Sequence, residues 1–359
     1  MGSPVVREDE VVREVAGLRR ALIAWYRREH RDMPWRRTRD AYRVWVSEIM
    51  LQQTQVVTAT PYWLRFMERF PTVTALADAP RDEVLAAWAG LGYYRRARFL
   101  HAAALMVMRE HGGRVPATAE HFGALPGVGR YTLGAVLSIG HGARLPVLDG
   151  NVGRVFARWT AQPLQAKRPA DATQLWAMAE SLLPPAGPQV GDWNQALMEL
   201  GATVCTPRAP RCEACPVRTH CRAHALGTPE AFPPVAERRA VETVRRAVVW
   251  IARGTRVLLE RREGAHLAGL WEPPGVDLAP EADARRALSA RLRALGVRAR
   301  LRDTGRRERH TITHHAIAVE VWEGTLLAAA PRRVALRLAD PRSREVAVTA
   351  LTRRLARPR

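Results

Sequence analysis

The chain has 359 residues, enough for two domains with separate cores, and nothing in its composition suggests long disordered spans. Its 56 Lys and Arg against 35 Asp and Glu leave a formal charge of +21, a balance that suits a polyanionic partner, although nearly all of it is arginine and Lys167 is the sole lysine. No apolar run reaches the ~20 residues of a membrane helix, and residues 1–15 are charged rather than signal-like, so the expected setting is intracellular, without a membrane.

Residues 8–31 read as an amphipathic helix with Val11, Val15, Leu18, Leu22 and Trp25 on one side. After Met33-Pro34-Trp35-Arg36 a second helix is expected from Tyr42 to Thr54, with Val44, Trp45, Ile49 and Met50 on its buried side. Glu48 stands among them. If it merely borders the stripe it is solvated; if it is buried, ionisation is costly, its pKa rises and it can act as a general acid.

In residues 125–152, Pro126, Gly127 and Gly129 interrupt a helical period that Thr132, Ala135, Val136 and Ile139 resume. The pattern is helix, hairpin, helix, with the N–H groups of the second helix available to a phosphate. A Gly- and Pro-containing loop then ends in Leu148-Asp149-Gly150-Asn151, where Asp149 alone would pass for a helix cap.

A helix over 193–202 leads into Cys205-x6-Cys212-x2-Cys215-x5-Cys221. Four thiolates in one segment point to zinc or an iron–sulfur cluster and a reducing compartment, not to a disulfide framework. Residues 226–243, with Pro229, Pro233 and Pro234, read as a linker. Beyond it, strands at 247–252 and 256–261 with a turn at Gly254 suggest a hairpin, followed by a helix over 282–295 and an alternating strand at Ile317, Val319 and Val321.

The hairpin, the loop and Asp149 together resemble the helix-hairpin-helix DNA glycosylases, the superfamily that includes endonuclease III. SEIMLQQTQV at 47–56 and GLGYYRRARFL at 90–100 narrow the resemblance to the adenine DNA glycosylases, the MutY family, over roughly residues 25–221. It implies a mainly α N-terminal helix-hairpin-helix glycosylase fold with an iron–sulfur cluster loop, plus an α+β Nudix-like C-terminal domain. The implied boundaries are 1–225 for the glycosylase domain with its cluster loop at about 205–221, 226–243 for the linker, 244–345 for a Nudix-like lesion-recognition domain, and 346–359 for a basic tail. The implied activity is monofunctional removal of adenine mispaired with 8-oxoguanine or guanine in double-stranded DNA, by a cytoplasmic, nucleoid-associated monomer. An endonuclease III-like glycosylase and lyase, or a non-catalytic zinc-holding DNA-binding protein, are the alternatives.

By the same resemblance Glu48 protonates adenine and Asp149 faces the sugar, with Tyr131 and Asn151 orienting the site. Bifunctional relatives carry a Schiff-base lysine where this chain has Tyr131, and a phenol cannot form that imine. Trp35, Arg36 and Glu199 are implied base-pocket residues; Gln53 and Tyr93 are implied to enter the DNA stack, aided by Gln52 and Thr54, and Gly127 and Gly129 to approach the backbone. Cys205, Cys212, Cys215 and Cys221 would hold a [4Fe-4S] cluster. Ile312-Thr313-His314 stands where the family reads 8-oxoguanine with Phe-Ser-His, so Thr313 and His314 are the implied lesion readers. Gly275 and Glu281 fit the opening of a Nudix box, but Ser289-Ala290 and Arg293-Ala294 replace the carboxylates that would hold magnesium, which argues against pyrophosphate hydrolysis.

Overall fold

The computed structural model describes residues 8–235, 242–263, 267–312, 315–328, 335–343 and 345–357. It divides into two compact units, one of residues 1–77 and 102–236, the other of 78–101 and 237–359. Among the described residues no helix is long and apolar enough to cross a membrane.

In chain order the helices are α1 (Glu8–Glu29), α2 (Ala41–Leu51), α3 (Val56–Arg69), α4 (Val73–Asp78), α5 (Arg81–Ala87), α6 (Arg95–His111), α7 (Ala119–Gly123), α8 (Arg130–His141), α9 (Gly150–Thr160), α10 (Pro169–Ser181), α11 (Pro188–Thr203) and α12 (Arg222–Ala225). The first unit is helical throughout. Its α11 carries Trp193, Leu197 and Leu200 on a fully buried side and packs against α1, α8 and α9. Helix α2 opens on Asp40, whose carboxylate accepts from Arg43 N at 2.8 Å. It ends at Leu51, short of the expected Thr54, because Gln53 turns into the left-handed region at φ 60°. The hairpin takes the expected form: Gly127 at φ 80° makes a turn that a side chain would strain, Val128 N donates to Leu125 O at 3.1 Å, and Gly129 caps α8.

In the second unit the strands are β1 (Glu242–Trp250), β2 (Ala252–Arg253), β3 (Arg256–Arg261), β4 (Trp271–Glu272), β5 (Gly275–Leu278), β6 (Ala299–Ile312), β7 (His315–Leu326) and β8 (Leu336–Ala339), with α13 (Ala284–Ala294) and α14 (Ala350–Leu355). One sheet runs β5-β1-β7-β6, β1 and β7 being parallel; a second runs β2-β3-β4, with β8 on β3. Alternation along β1 builds two layers from one strand. Ala247 and Val249 pack under Leu288 and Leu292 of α13, while Val248 faces Leu351 and Leu355 of α14.

Three expectations about elements change here. The hairpin expected from 247–252 and 256–261 is only β2 on β3, with Gly254 at φ 60°; β1 pairs instead with distant β7, a parallel pairing that local sequence cannot announce. Part of the stretch read as a basic tail forms α14, held by its buried Leu351 and Leu355 and capped by Thr349. Of the stretch read as a linker, residues 226–235 lie on the first unit, where Phe232 O accepts from Arg158 and Pro234 O from Gln165; 236–241 fall outside the described residues.

Candidate active site

A cavity of about 680 Å³ opens in the first unit, lined by the end of α2, the turn after it, the start of α8, the start of α9 and one face of α11. Glu48, Tyr131, Asp149, Asn151, Trp35, Arg36 and Glu199, which the sequence scatters between positions 35 and 199, all line it.

Glu48 projects from α2 and is only 6% exposed. Burial pushes its carboxyl up to about 7; the Tyr131 hydrogen bond is the next largest influence and opposes the rise, the charge of Asp149 adds to it, and Arg36 opposes it least. The Tyr131 hydroxyl donates to Glu48 Oε2 at 2.8 Å and lies 3.0 Å from Met198 Sδ. Burial, then the neighbouring acids, hold the Tyr131 phenol well above its ordinary range, so at neutral pH it serves as a hydrogen-bond donor.

Asp149 caps a helix and lines the cavity. It caps α9, Oδ1 accepting from Asn151 N at 2.9 Å and Val152 N at 2.7 Å, and its Oδ2 takes Asn151 Nδ2 at 3.1 Å. The cap fixes the carboxylate at the mouth of a helix that the cavity also touches.

At another part of the lining, Glu199 of α11 is gripped by two arginines. Arg31 reaches Oε1 with Nε and Oε2 with Nη2, both at 2.8 Å, and Arg36 Nη2 reaches Oε2 at 2.8 Å. Burial alone would raise this carboxyl, but the Arg31 and Arg36 hydrogen bonds outweigh it and bring Glu199 down to about 2. Arg36 also lies over the Tyr26 ring at 5.3 Å, and Trp35 meets Trp63 edge-on at 5.8 Å, which braces the short turn that carries both.

Gln52, Gln53 and Thr54 border the same cavity, Gln52 Nε2 donating to Thr132 at 3.2 Å. Tyr93 belongs to the second unit, where it is 48% exposed at φ 48°. Thr313 and His314 lie outside the described residues.

The cysteines gather as expected. Cys205, Cys212, Cys215 and Cys221 line one small cavity beside α9, and Arg158 Nη1 donates to Cys205 Sγ at 3.3 Å. Burial pushes the Cys215 thiol up to about 12 and the Cys212 and Cys221 thiols in the same direction. The four cysteine side chains line one shared space, an all-sulfur donor set of the kind that holds a thiolate-bound metal centre.

Sequence reasoning missed Arg31, Met198, Arg154 and Arg158. Arg154 donates to Asn151 Oδ1 at 2.9 Å, Gly201 O at 2.8 Å and Cys205 O at 2.8 Å, linking the rim of the cavity to the cysteine loop. A signal was present: Asn151, Arg154 and Arg158 recur at helical spacing on α9, a polar row on a helix whose other side is buried.

Residues 46–178 match the HhH-GPD superfamily of base excision DNA repair proteins, and residues 247–357 match the NUDIX domain. The chain is 50% identical to human adenine DNA glycosylase over 221 residues, covering 59% of this chain and 40% of that protein. It is 45% identical to the adenine DNA glycosylase of Mycolicibacterium smegmatis over 209 residues, covering 58% of this chain and 70% of the other. A solved thermostable thymine-DNA glycosylase superposes with a TM-score of 0.54 at 29% identity, over 60% of this chain and 99% of its own. The matches span less than two thirds of the length of several curated relatives, including the human, rat and Arabidopsis thaliana proteins.

Proposed function

We propose that this chain, which belongs to the adenine DNA glycosylase family, hydrolyses the N-glycosidic bond of adenine mispaired with 8-oxoguanine or guanine in duplex DNA, as a monomer acting inside the cell. The observation that carries the reading is Glu48, buried and hydrogen-bonded by Tyr131 in one cavity with Asp149, a setting that pushes its carboxyl up to about 7.

An acid in a cavity cannot reach a stacked base, so the adenine must first leave the helix, at a cost of roughly a few kcal/mol. Gln53, in its left-handed turn, and exposed Tyr93 are suited to fill or part the stack. Once the base is seated, Glu48 gives its proton to adenine N7. The C1′–N9 bond then breaks with its electron pair leaving on the base, the Asp149 carboxylate faces the cationic sugar, and water adds at C1′ and loses a proton. One carboxyl donates and the other faces the developing charge, as in glycoside hydrolysis. Glu199, pinned by Arg31 and Arg36, and Trp35 shape the base pocket; Tyr131 holds Glu48 and Asn151 holds Asp149.

The four cysteines fit a [4Fe-4S] cluster, which when bound would cross-link the loop through its sulfurs. Thr313 and His314 are the proposed 8-oxoguanine readers, in a C-terminal domain proposed to serve lesion recognition.

The test is single-turnover incubation with end-labelled duplexes carrying adenine opposite 8-oxoguanine, adenine opposite guanine, or an oxidised pyrimidine, read with and without alkali. Strand scission on the adenine strand that appears only after alkali, with no borohydride-trapped protein–DNA adduct, is the expected result. Cleavage at the pyrimidine without alkali would move the chain to the lyase branch.

A further inference from the structure

The Tyr131 hydroxyl has a second neighbour besides Glu48. It projects from α8 to 2.8 Å from Glu48 Oε2 and 3.0 Å from the sulfur of Met198, a half-buried side chain of α11. All three line the excision cavity. A phenol carries one proton, so the carboxyl oxygen and the sulfur compete for it. Tyr131 keeps that proton at neutral pH, because burial and then the charges of Glu48 and Asp149 hold its pKa well above the ordinary range.

The competition is uneven, and its outcome depends on Glu48. A hydrogen bond to an ionised acceptor is roughly twice as strong as one to a neutral group, whereas a thioether is a weak neutral acceptor. With Glu48 ionised, the proton goes to Oε2 and the sulfur takes no part. With Glu48 protonated, its carboxyl is a neutral acceptor, and a proton on Oε2 can itself be donated to the Tyr131 oxygen. The hydroxyl proton then turns to Met198. The sulfur gains a partner in one protonation state only, and it is that state which it stabilises. Leucine in its place would leave the hydroxyl proton no acceptor but Glu48, which favours the ionised form.

We propose that Met198 is a positioning residue for the proton donor: its sulfur takes up the Tyr131 hydroxyl proton while Glu48 is protonated and releases it when Glu48 ionises. This role rests on the reading of Glu48 as the acid, and it keeps Glu48 in the form able to protonate a base. The other charged and titratable groups around Glu48 are Tyr131 on α8, Asp149 at the head of α9 and Arg36 on the turn before α2, with Arg31 and Glu199 of α11 in the same lining. Replacing Met198 alters none of their charges.

The test is a pH titration of the full chain without DNA, followed by the infrared band of the protonated Glu48 carboxyl, which is identified by its loss in Glu48→Gln. Wild type, Met198→Leu, Tyr131→Phe and the double variant are compared, and single-turnover adenine excision is measured over the same pH range. Leucine conserves volume, so the variant should fold. It should lower the Glu48 midpoint by about half a pH unit. The excision limb above about 7 should move down with it, a loss of about threefold there, with the plateau at lower pH little changed. In the Tyr131→Phe background the same substitution should shift nothing, since no hydroxyl proton remains to be divided. A midpoint that leucine leaves in place, an equal shift with and without the Tyr131 hydroxyl, or excision lowered evenly at every pH would overturn the role, the methionine then being packing alone. Titration shifts of the expected size in a chain that excises no adenine would sink the glycosylase reading and leave the proton exchange between Tyr131 and Met198 standing.

Discussion

Glu48 and Glu199 line one cavity, 6% and 1% exposed, yet their carboxyls lie near 7 and near 2. Burial acts on both in the same direction; the neighbours separate them. Glu48 has a phenol that donates one hydrogen bond and an aspartate that repels its charge, while Glu199 has two guanidiniums. The lesson is that a buried acid becomes a proton donor when its neighbourhood withholds cations, and a fixed anion when it supplies them. Under the proposed function, the first is the reactive end of the pocket and the second its rigid end.

The largest expected break in this comparison is at the reactive end. Glu48→Gln removes the transferable proton and should lower single-turnover excision by roughly 10²–10⁴-fold while duplex binding persists. Asp149→Asn removes the charge facing the sugar and should cost about 10²–10³-fold in the same assay. At the rigid end the loss appears first in stability: Glu199→Gln leaves Arg31 and nearly buried Arg36 without their anion, and chemical denaturation should register about 3 kcal/mol.

Smaller, and opposite in sign, is the stability effect at Glu48. A carboxyl whose folded pKa is raised favours the protonated folded state, so its contribution is best at low pH and is lost as pH rises from the ordinary value of 4.5 through about 7. Glu48→Gln should therefore gain roughly 1–3 kcal/mol over wild type above pH 7, while being inactive, and show little gain at pH 4. Glu199 runs the other way, its stabilisation present above 4.5 and lost as pH falls towards 2. The smallest change is Tyr131→Phe: removing the donor that favours ionised Glu48 should move the alkaline limb of the excision profile to higher pH, with a rate loss of about tenfold or less.

Much of this site was legible before any coordinates. Glu48 stood out as an acid inside an apolar stripe, the Gly127–Gly129 interruption announced the hairpin, and the cysteine spacing announced its own loop. Asp149 shows why sequence alone stalls: a cap and a catalytic carboxylate look identical in one dimension, and here one side chain fills the cap geometry and faces the cavity. The pairing of Glu199 with Arg31 joins residues 168 positions apart, and no local period encodes it. In the second unit, β1 read as half of a hairpin although it pairs with β5 and with remote β7, and residues 350–355 read as tail because two leucines on a short basic helix are a weak apolar signal. The tuned pKa values were out of reach for the same reason, since both depend on partners that only the fold assembles.

The most direct test of the account is the pH dependence of single-turnover adenine excision from pH 5 to 9, for wild type and Tyr131→Phe. The account predicts a rate that falls about tenfold per pH unit above about 7 in wild type, with the fall displaced upward in the phenylalanine variant. A wild-type rate that stays flat or rises through that range would contradict Glu48 as the proton donor.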